Sequence, residues 1–307
     1  MNLNKIYVTP RSITMSGHPS LKRLKDAGFE IILASPGIQP TEQDQLNILP
    51  ECVAYLAGIE PITESVLKSA KNLKIISRNG VGVENIDIEA AKKLGIEIKT
   101  AAGTNARGVA ELAISLMCSA IRSIPINNNR IKKGEWKREK GFEIEGKILG
   151  VIGCGNIGKA VIRMGLGLDL KVLGYDLYPD KSFNPSPDFS YVSLDQIYEK
   201  SDIISLHVPP GNQPLIDETA IKKMKKGVIL INTARAKVVN EEHIFKALYN
   251  RKIGYYATDV YEEEPPTVDK LIKHQFTITT PHIGGYTTES INRAMETAVD
   301  HILEVLK

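Results

Sequence analysis

The stretch from Lys147 to Asp176, KILGVIGCGNIGKAVIRMGLGLDLKVLGYD, constrains this chain more than any other. Ile148, Leu149, Val151 and Ile152 form a short apolar run of the kind found in a strand buried on both faces. Gly153, Gly155 and Gly158 follow as GxGxxG, and Ile157, Ala160, Val161 and Met164 then recur at helical spacing. A second apolar segment, Val172 to Tyr175, ends at Asp176. Each part has a mechanical reason in a βαβ unit that binds a dinucleotide. The first glycine permits a tight turn, the second lets backbone approach a pyrophosphate, and the third lets helix and strand pack closely. The helix N-terminus offers unpaired N–H groups to phosphate, and a terminal carboxylate receives the ribose hydroxyls. A lone GxGxxG also arises in ordinary βα turns; here all five parts fall in order.

A chain of 307 residues implies about two domains at ~100–200 residues each. The net charge of +3, with basic residues scattered, argues against a nucleic-acid partner. Cys52, Cys118 and Cys154 lie far apart with no CxxC, which suits reduced thiols in the cytoplasm. The N-terminus lacks the apolar core of a signal peptide, and no run reaches the ~18 apolar residues of a membrane span. The expected setting is cytoplasmic, with no membrane contact.

Residues 1 to about 100 alternate strand-like and helix-like segments. Apolar runs stand at Ile6–Val8, Glu30–Ala34, Cys52–Ala57, Lys74–Ser77 and Glu97–Lys99. Helical patterns lie between them at Leu21–Ala27, Val66–Ala70 and Ile88–Leu94, the last with Ala91 and Leu94 facing inward. Such alternation predicts a parallel α/β sheet. Thr104 reads as the N-cap of a long helix with Val109, Ala110, Ala113, Leu116, Met117 and Ala120 on one face, stopping near Pro125. The polar segment 127–145, with Trp136 alone among charges, reads as an arm packed on a second subunit or folded back on its own domain.

The βα alternation then resumes, with strands expected at Ile148–Ile152, Val172–Tyr175, Ile203–His207, Val228–Asn232, Tyr255–Asp259 and Thr277–Thr280. Helices are expected at Leu194–Lys200, Glu218–Lys225 and Glu241–Asn250, the last capped by Asn240, with a loop at Asn184–Asp188. After Gly284-Gly285 a final helix carries Ile291, Ala294, Met295, Ala298, Ile302 and Leu303. In an open parallel sheet, ligands bind beyond the carboxyl ends of the strands. The residues there are the Gly153 loop, Asp176, His207-Val208-Pro209, Thr233-Ala234-Arg235, Asp259 and Pro281-His282. No metal is expected, because no His/Cys/carboxylate cluster has ligand spacing. A hydride-carrying cofactor with one proton donor and one cation suffices to reduce a ketone.

These segments carry a resemblance. The chain resembles the D-isomer-specific 2-hydroxyacid dehydrogenases, most closely their 3-phosphoglycerate dehydrogenase branch. The matching segments are RNGVGVENID, GCGNIG, HVPP, INTARAKVVNEEHI, ATDVYEEEPP and TPHIGGYT, in order along the chain. The resemblance implies an α/β fold of two domains, with a Rossmann dinucleotide-binding domain (103–285) inserted in a smaller flavodoxin-like parallel α/β substrate domain (1–102 and 286–307). It implies NAD as cofactor and a small 2-hydroxy or 2-oxo acid as substrate. A homodimer through the Rossmann domain and the 127–145 arm is expected. Carried over by motif, Arg235 holds the substrate carboxylate and polarises the carbonyl, Glu264 pairs with the catalytic histidine, and His282 donates the proton. Arg78, Asn79, Val81 and Gly82 match substrate-binding positions. Asn156, Ile157, Asp176, Val208, Pro209, Thr233, Ala234, Arg235, Asp259, His282, Gly284 and Gly285 join Gly153, Gly155 and Gly158 as cofactor-binding positions.

Other roles stay open. Asp259 reads equally as a structural turn residue, His207 as a strand cap, and Glu262 and Glu263 as solvated neighbours of Glu264. Cys154 offers a redox site only as the lesser reading. Where the resemblance leads one to expect a basic residue after the third strand, the chain has Ala57-Gly58. The chain also stops after the closing helix, so feedback through a regulatory extension is not expected. The alternatives are a dehydrogenase for an unphosphorylated 2-hydroxy acid, such as a glyoxylate or hydroxypyruvate reductase, and a cofactor-sensing corepressor-like protein.

Overall fold

The computed structural model describes residues 4–307, which divide into two compact units. One holds the chain up to Asn105 together with Thr288–Lys307, and the other is Ala106–Thr287.

The first unit contains β1 (Lys5–Val8), α1 (Arg11–Ser16), α2 (Leu21–Asp26), β2 (Glu30–Leu33), α3 (Glu42–Ile48), β3 (Cys52–Ala57), α4 (Glu64–Ser69), β4 (Ile75–Arg78), α5 (Ile88–Lys93) and β5 (Glu97–Thr100). Its sheet is parallel throughout, in the order β2-β1-β3-β4-β5. That is the flavodoxin-like doubly wound order. All six residues of β3 are buried, as its unbroken apolar run requires at the centre of a covered sheet. Helices start where side-chain oxygens take up orphan N–H groups: Thr41 and Asp44 form a reciprocal box, while Thr63 and Asp87 cap α4 and α5. Leu94 does not face inward as expected. It is the C-cap of the short α5 and 45% exposed, whereas Ala91 is fully buried. Helices α1 and α3 were not anticipated.

The second unit contains α6 (Ala106–Ile121), α7 (Ile124–Lys132), β6 (Ile148–Ile152), α8 (Asn156–Leu166), β7 (Lys171–Tyr175), β8 (Phe189–Tyr191), α9 (Leu194–Lys200), β9 (Ile203–Leu206), α10 (Glu218–Lys223), β10 (Val228–Asn232), α11 (Glu241–Tyr249), β11 (Ile253–Thr258) and β12 (Thr277–Thr279). The sheet order is β12-β11-β10-β9-β6-β7-β8, again parallel at every pair. The chain runs outward from β6 through β7 to β8, then returns to lay β9 on the other side of β6. This places the switch point at β6, where open α/β sheets bind ligands. The six residues expected on the inner face of α6 are all buried. One local expectation fails here. Thr104 does not cap α6: the helix starts at Ala106, and the Thr104 hydroxyl donates to Ala101 O at 2.7 Å instead. The long helix does stop near Pro125, at Ile121, but a second helix, α7, follows that was not anticipated. The chain turns at Ser123, in the left-handed conformation, and Pro125 sits in the first turn of α7, where a missing N–H costs nothing.

The chain returns to the first unit with α12 (Thr288–Leu306). Met295, Ala298, Val299, Ile302 and Leu303 form one cluster with Ile6, Val8, Leu24, Ala54, Leu56 and Ile75, so α12 covers a face of the first sheet. The Ser77 hydroxyl, buried in β4, donates to Ala298 O at 2.9 Å. Among the described residues no single helix is long and apolar enough to cross a membrane.

Candidate active site

The glycine turn is built by exclusion. Gly153 has φ 93°, and a Cβ there would meet His207 O at 2.5 Å and Val208 Cγ1 at 2.8 Å. A Cβ on Gly158 would run into the carbonyl of Gly153, so helix and strand meet backbone to backbone. Gly155, by contrast, has open space on its side-chain face, and α8 begins immediately after it at Asn156 and Ile157. Its N-terminus therefore leaves room for a phosphate beside unpaired N–H groups. Asp176 ends β7 with Oδ2 accepting from Cys154 N at 2.7 Å and Oδ1 from Tyr178 N at 2.9 Å. Each carboxylate oxygen keeps acceptor capacity for a ribose hydroxyl. Thr233, buried just after β10, holds a hydroxyl with no partner among the described residues. Open glycine face, carboxylate and orphaned hydroxyl together fit a dinucleotide.

Cys154, in the same turn, is buried, and burial pushes its thiol up to about 12, with the Asp176 carboxylate adding to the rise. A thiol so placed is inert at neutral pH. Val208 packs on Gly153, while Pro209 beyond it is exposed.

Arg235 stands on the turn after β10. That turn is closed by Asn232, fully buried, whose Oδ1 accepts from Ala234 N at 3.1 Å and whose Nδ2 donates to Arg235 O at 3.0 Å. The Arg235 guanidinium donates to Ala234 O at 2.8 Å. Asn232 was expected only as the end of a strand; the signal for its turn-closing role was its place at the head of the NTAR segment.

His282 and Glu264 meet as expected from their motifs. His282 Nδ1 lies 2.8 Å from Glu264 Oε1 and 2.9 Å from Oε2. Both side chains are accessible, at 48% and 41%. Glu262 and Glu263 are exposed beside them. His282 has φ 52°, a left-handed conformation that costs a non-glycine residue energy unless its surroundings fix it. The fixing group is Asp259, buried at the end of β11. Its Oδ1 accepts from the Thr280 hydroxyl at 2.6 Å and from Ile283 N at 2.8 Å, and its Oδ2 from Gly284 N at 2.8 Å. Gly284 packs tightly here, since a Cβ would stand 3.1 Å from Asp259 Oδ2 and press on that carboxylate. Gly285 follows, half-buried. Tyr261 completes the support: its hydroxyl donates to Thr280 O at 2.8 Å.

In the first unit, Arg78 is buried at the end of β4 and donates to Asn79 O at 3.0 Å. Val81 is exposed and Gly82 half-buried on the loop that follows. Beyond the carboxyl ends of β1 and β3 sits Glu60, almost wholly buried. Its Oε1 accepts from the Thr9 hydroxyl, from Tyr55 OH at 2.7 Å and from Gly58 N at 2.9 Å. A Cβ on Gly58 would stand 2.6 Å from Glu60 Oε2, so a side chain where a basic residue was expected would have to displace that buried carboxylate.

Residues 114–284, all within the second unit, match the family described as "D-isomer specific 2-hydroxyacid dehydrogenase, NAD binding domain". A hydroxypyruvate reductase of Thermotoga maritima is 39% identical over 86% of this chain and 89% of its own length. A D-3-phosphoglycerate dehydrogenase of Archaeoglobus fulgidus is 41% identical over 78% of this chain and 46% of its own, so the chain spans about half the length of that relative. The apo-structure of a D-lactate dehydrogenase from Escherichia coli superposes with a TM-score of 0.82 at 28% identity, covering 98% of this chain and 96% of that one. With that match and those relatives, this chain belongs to the D-isomer specific 2-hydroxyacid dehydrogenase family.

Proposed function

We propose that this protein uses NADH to reduce a small, unphosphorylated 2-oxo acid of the hydroxypyruvate or glyoxylate type to its D-2-hydroxy acid, and runs the reverse with NAD. When bound, the nicotinamide supplies or accepts hydride. Gly153, Gly155, Asn156, Ile157 and Gly158 would hold the pyrophosphate and Asp176 the adenosine ribose, with Val208, Pro209, Thr233, Ala234, Gly284 and Gly285 along the rest of the molecule. Asp176 places negative charge where a 2′-phosphate would have to sit, which favours NAD over NADP.

The His282–Glu264 pair carries the chemical reading. The carboxylate takes Nδ1 and fixes the ring. Nε2 is the nitrogen left to give a proton to the carbonyl oxygen as negative charge develops there. Arg235 would hold the substrate carboxylate through its planar fork and stabilise the same charge.

For the substrate, the buried Glu60 carboxylate and the side-chain-free Gly58 weigh against a phosphate near the ends of β1 and β3. Arg78 supports a second reading, 3-phosphoglycerate and its 2-oxo acid, because it is a buried cation next to Asn79, Val81 and Gly82. A panel of 2-oxo acids with NADH at neutral pH decides between them. Highest kcat/KM on hydroxypyruvate or glyoxylate supports the first; highest on 3-phosphohydroxypyruvate, with Arg78→Ala raising KM for that acid alone, supports the second. The setting that fits is cytoplasmic, and the assembly a homodimer. Exposed Ile124, Ile131 and Trp136, the last at 86%, support an apolar contact through α7 and the arm.

A further inference from the structure

The loop after Asp176 holds the cations of α8. Lys159 and Arg163 lie one turn apart on that helix, and Lys159 belongs to the first turn beyond Gly155. Lys159 Nζ is 2.6 Å from Asp180 Oδ2. Asp180 is itself locked in place, its Oδ1 accepting from Ser182 Oγ at 2.6 Å and from Ser182 N at 3.0 Å. The Phe183 ring completes the clasp, with Lys159 Nζ 5.2 Å and Arg163 Cζ 4.9 Å from its centre. Lys159 and the Ser182 hydrogen bonds hold the Asp180 carboxyl down at about 2, so it is ionised throughout the working range. Asp176 and Lys159 are both tied to the glycine turn: Asp176 Oδ2 accepts from Cys154 N at 2.7 Å, and Lys159 N donates to Gly155 O at 2.9 Å. Lys181, the loop's remaining cation, is exposed.

We propose that Asp180 is a positioning residue for cofactor choice: by holding Lys159, it denies a 2′-phosphate the cation in the first turn of α8 and leaves Asp176 unopposed. The proposal rests on the reading that the protein prefers NAD. It adds a second, separable device to that preference, because a 2′-phosphate is repelled by Asp176 and receives no compensating charge from α8. Release of Lys159 supplies that charge. An ammonium–phosphate contact at a solvent-accessible site is a modest gain, read here as about three- to tenfold in affinity.

Isothermal titration of the whole protein with 2′,5′-ADP and with ADP tests this without turnover. In the wild type, ADP binds more tightly. Asp180→Asn keeps an acceptor for Ser182 and is expected to tighten 2′,5′-ADP about three- to tenfold while changing ADP less than twofold. In the double variant Asp180→Asn/Lys159→Gln that gain disappears, and kcat/KM for NADPH against NADH follows the same order. An unchanged Kd for 2′,5′-ADP in Asp180→Asn, or a gain that survives loss of Lys159, overturns the proposal. A wild type that binds 2′,5′-ADP more tightly than ADP overturns the underlying NAD preference instead. Asp176→Ala separates the two devices: it is expected to weaken ADP, which Asp180→Asn does not.

Discussion

His207, the residue after β9, makes the stability of the second unit depend on pH. Its Nε2 shares a 2.8 Å hydrogen bond with the Ser205 hydroxyl, and its Nδ1 is shut off from water with no partner among the described residues. The residue keeps some exposure, but Nδ1 itself has no access to water. Burial pushes the imidazole down from 6.5 to about 3. The folded ring therefore stays neutral, while the unfolded ring takes up a proton below ~6.5. Between those values the unfolded state binds more protons. The contribution is complete above pH 6.5 and is lost progressively as pH falls toward 3. At ~1.36 kcal/mol per pH unit, the loss between pH 7 and pH 5 is about 2 kcal/mol. His207→Gln leaves a group for Ser205 and removes the titration. Urea unfolding at both pH values measures the effect, with the second unit's transition identified as the one that added NAD shifts. The wild type should lose about 2 kcal/mol more than the variant on moving from pH 7 to pH 5. Equal losses would refute a ring that is buried and neutral.

The remaining expectations concern chemistry and assembly. His282→Ala should lower kcat by about 10²–10⁴-fold while NADH still binds, as measured by steady-state kinetics and fluorescence titration; near-normal turnover removes His282 as proton donor. Glu264→Gln should lower kcat less than that and leave the NADH Kd unchanged, because the ring keeps a hydrogen-bond partner. Cys154 should resist a disulfide reagent at pH 8 in the native protein and react on unfolding, since burial holds its thiol near 12; fast native labelling of a Cys52→Ser/Cys118→Ser background contradicts this. Sedimentation at micromolar concentration should show a dimer, and Trp136→Asp should shift it toward monomer. A wild-type monomer under those conditions ends the dimer proposal.

The sequence makes some parts of this fold plain and hides others for definite reasons. Strands β3, β6 and β10 lie at or near the middle of covered sheets, so their unbroken apolar runs match the structure residue for residue. The face of α6 was readable because six inward positions keep helical spacing over about three turns. Helices α1 and α3 bury only two and one residues respectively, too few to leave a stripe. β8 has three residues at a sheet edge, with one of them buried. Helix α7 was hidden because Pro125 marks its first turn as readily as it marks the stop of α6. At the site, Glu264 and His282 were identifiable by motif, and their pairing is seen at 2.8 Å. The role of Asp259 in the His282 turn was not decidable, because it depends on where residues 280–284 return in space. The Lys159–Asp180 contact was hidden for the same reason: nothing local marks which of several lysines an aspartate in the next loop will meet.

The placement of α12 has a consequence for how the protein is made. The strands of the first sheet are complete by Thr100, but the helix that covers one of its faces begins only at Thr288. During synthesis at ~5–20 residues per second, that face waits about 10–40 s for its cover. The intervening chain, by contrast, contains every strand and helix of its own unit and can fold as soon as it emerges. The nascent protein therefore presents Ile6, Val8, Leu56 and Ile75 to its surroundings after the second unit is already built. Chaperone demand during translation should fall on the first unit's sheet, although its strands leave the ribosome before the second unit does.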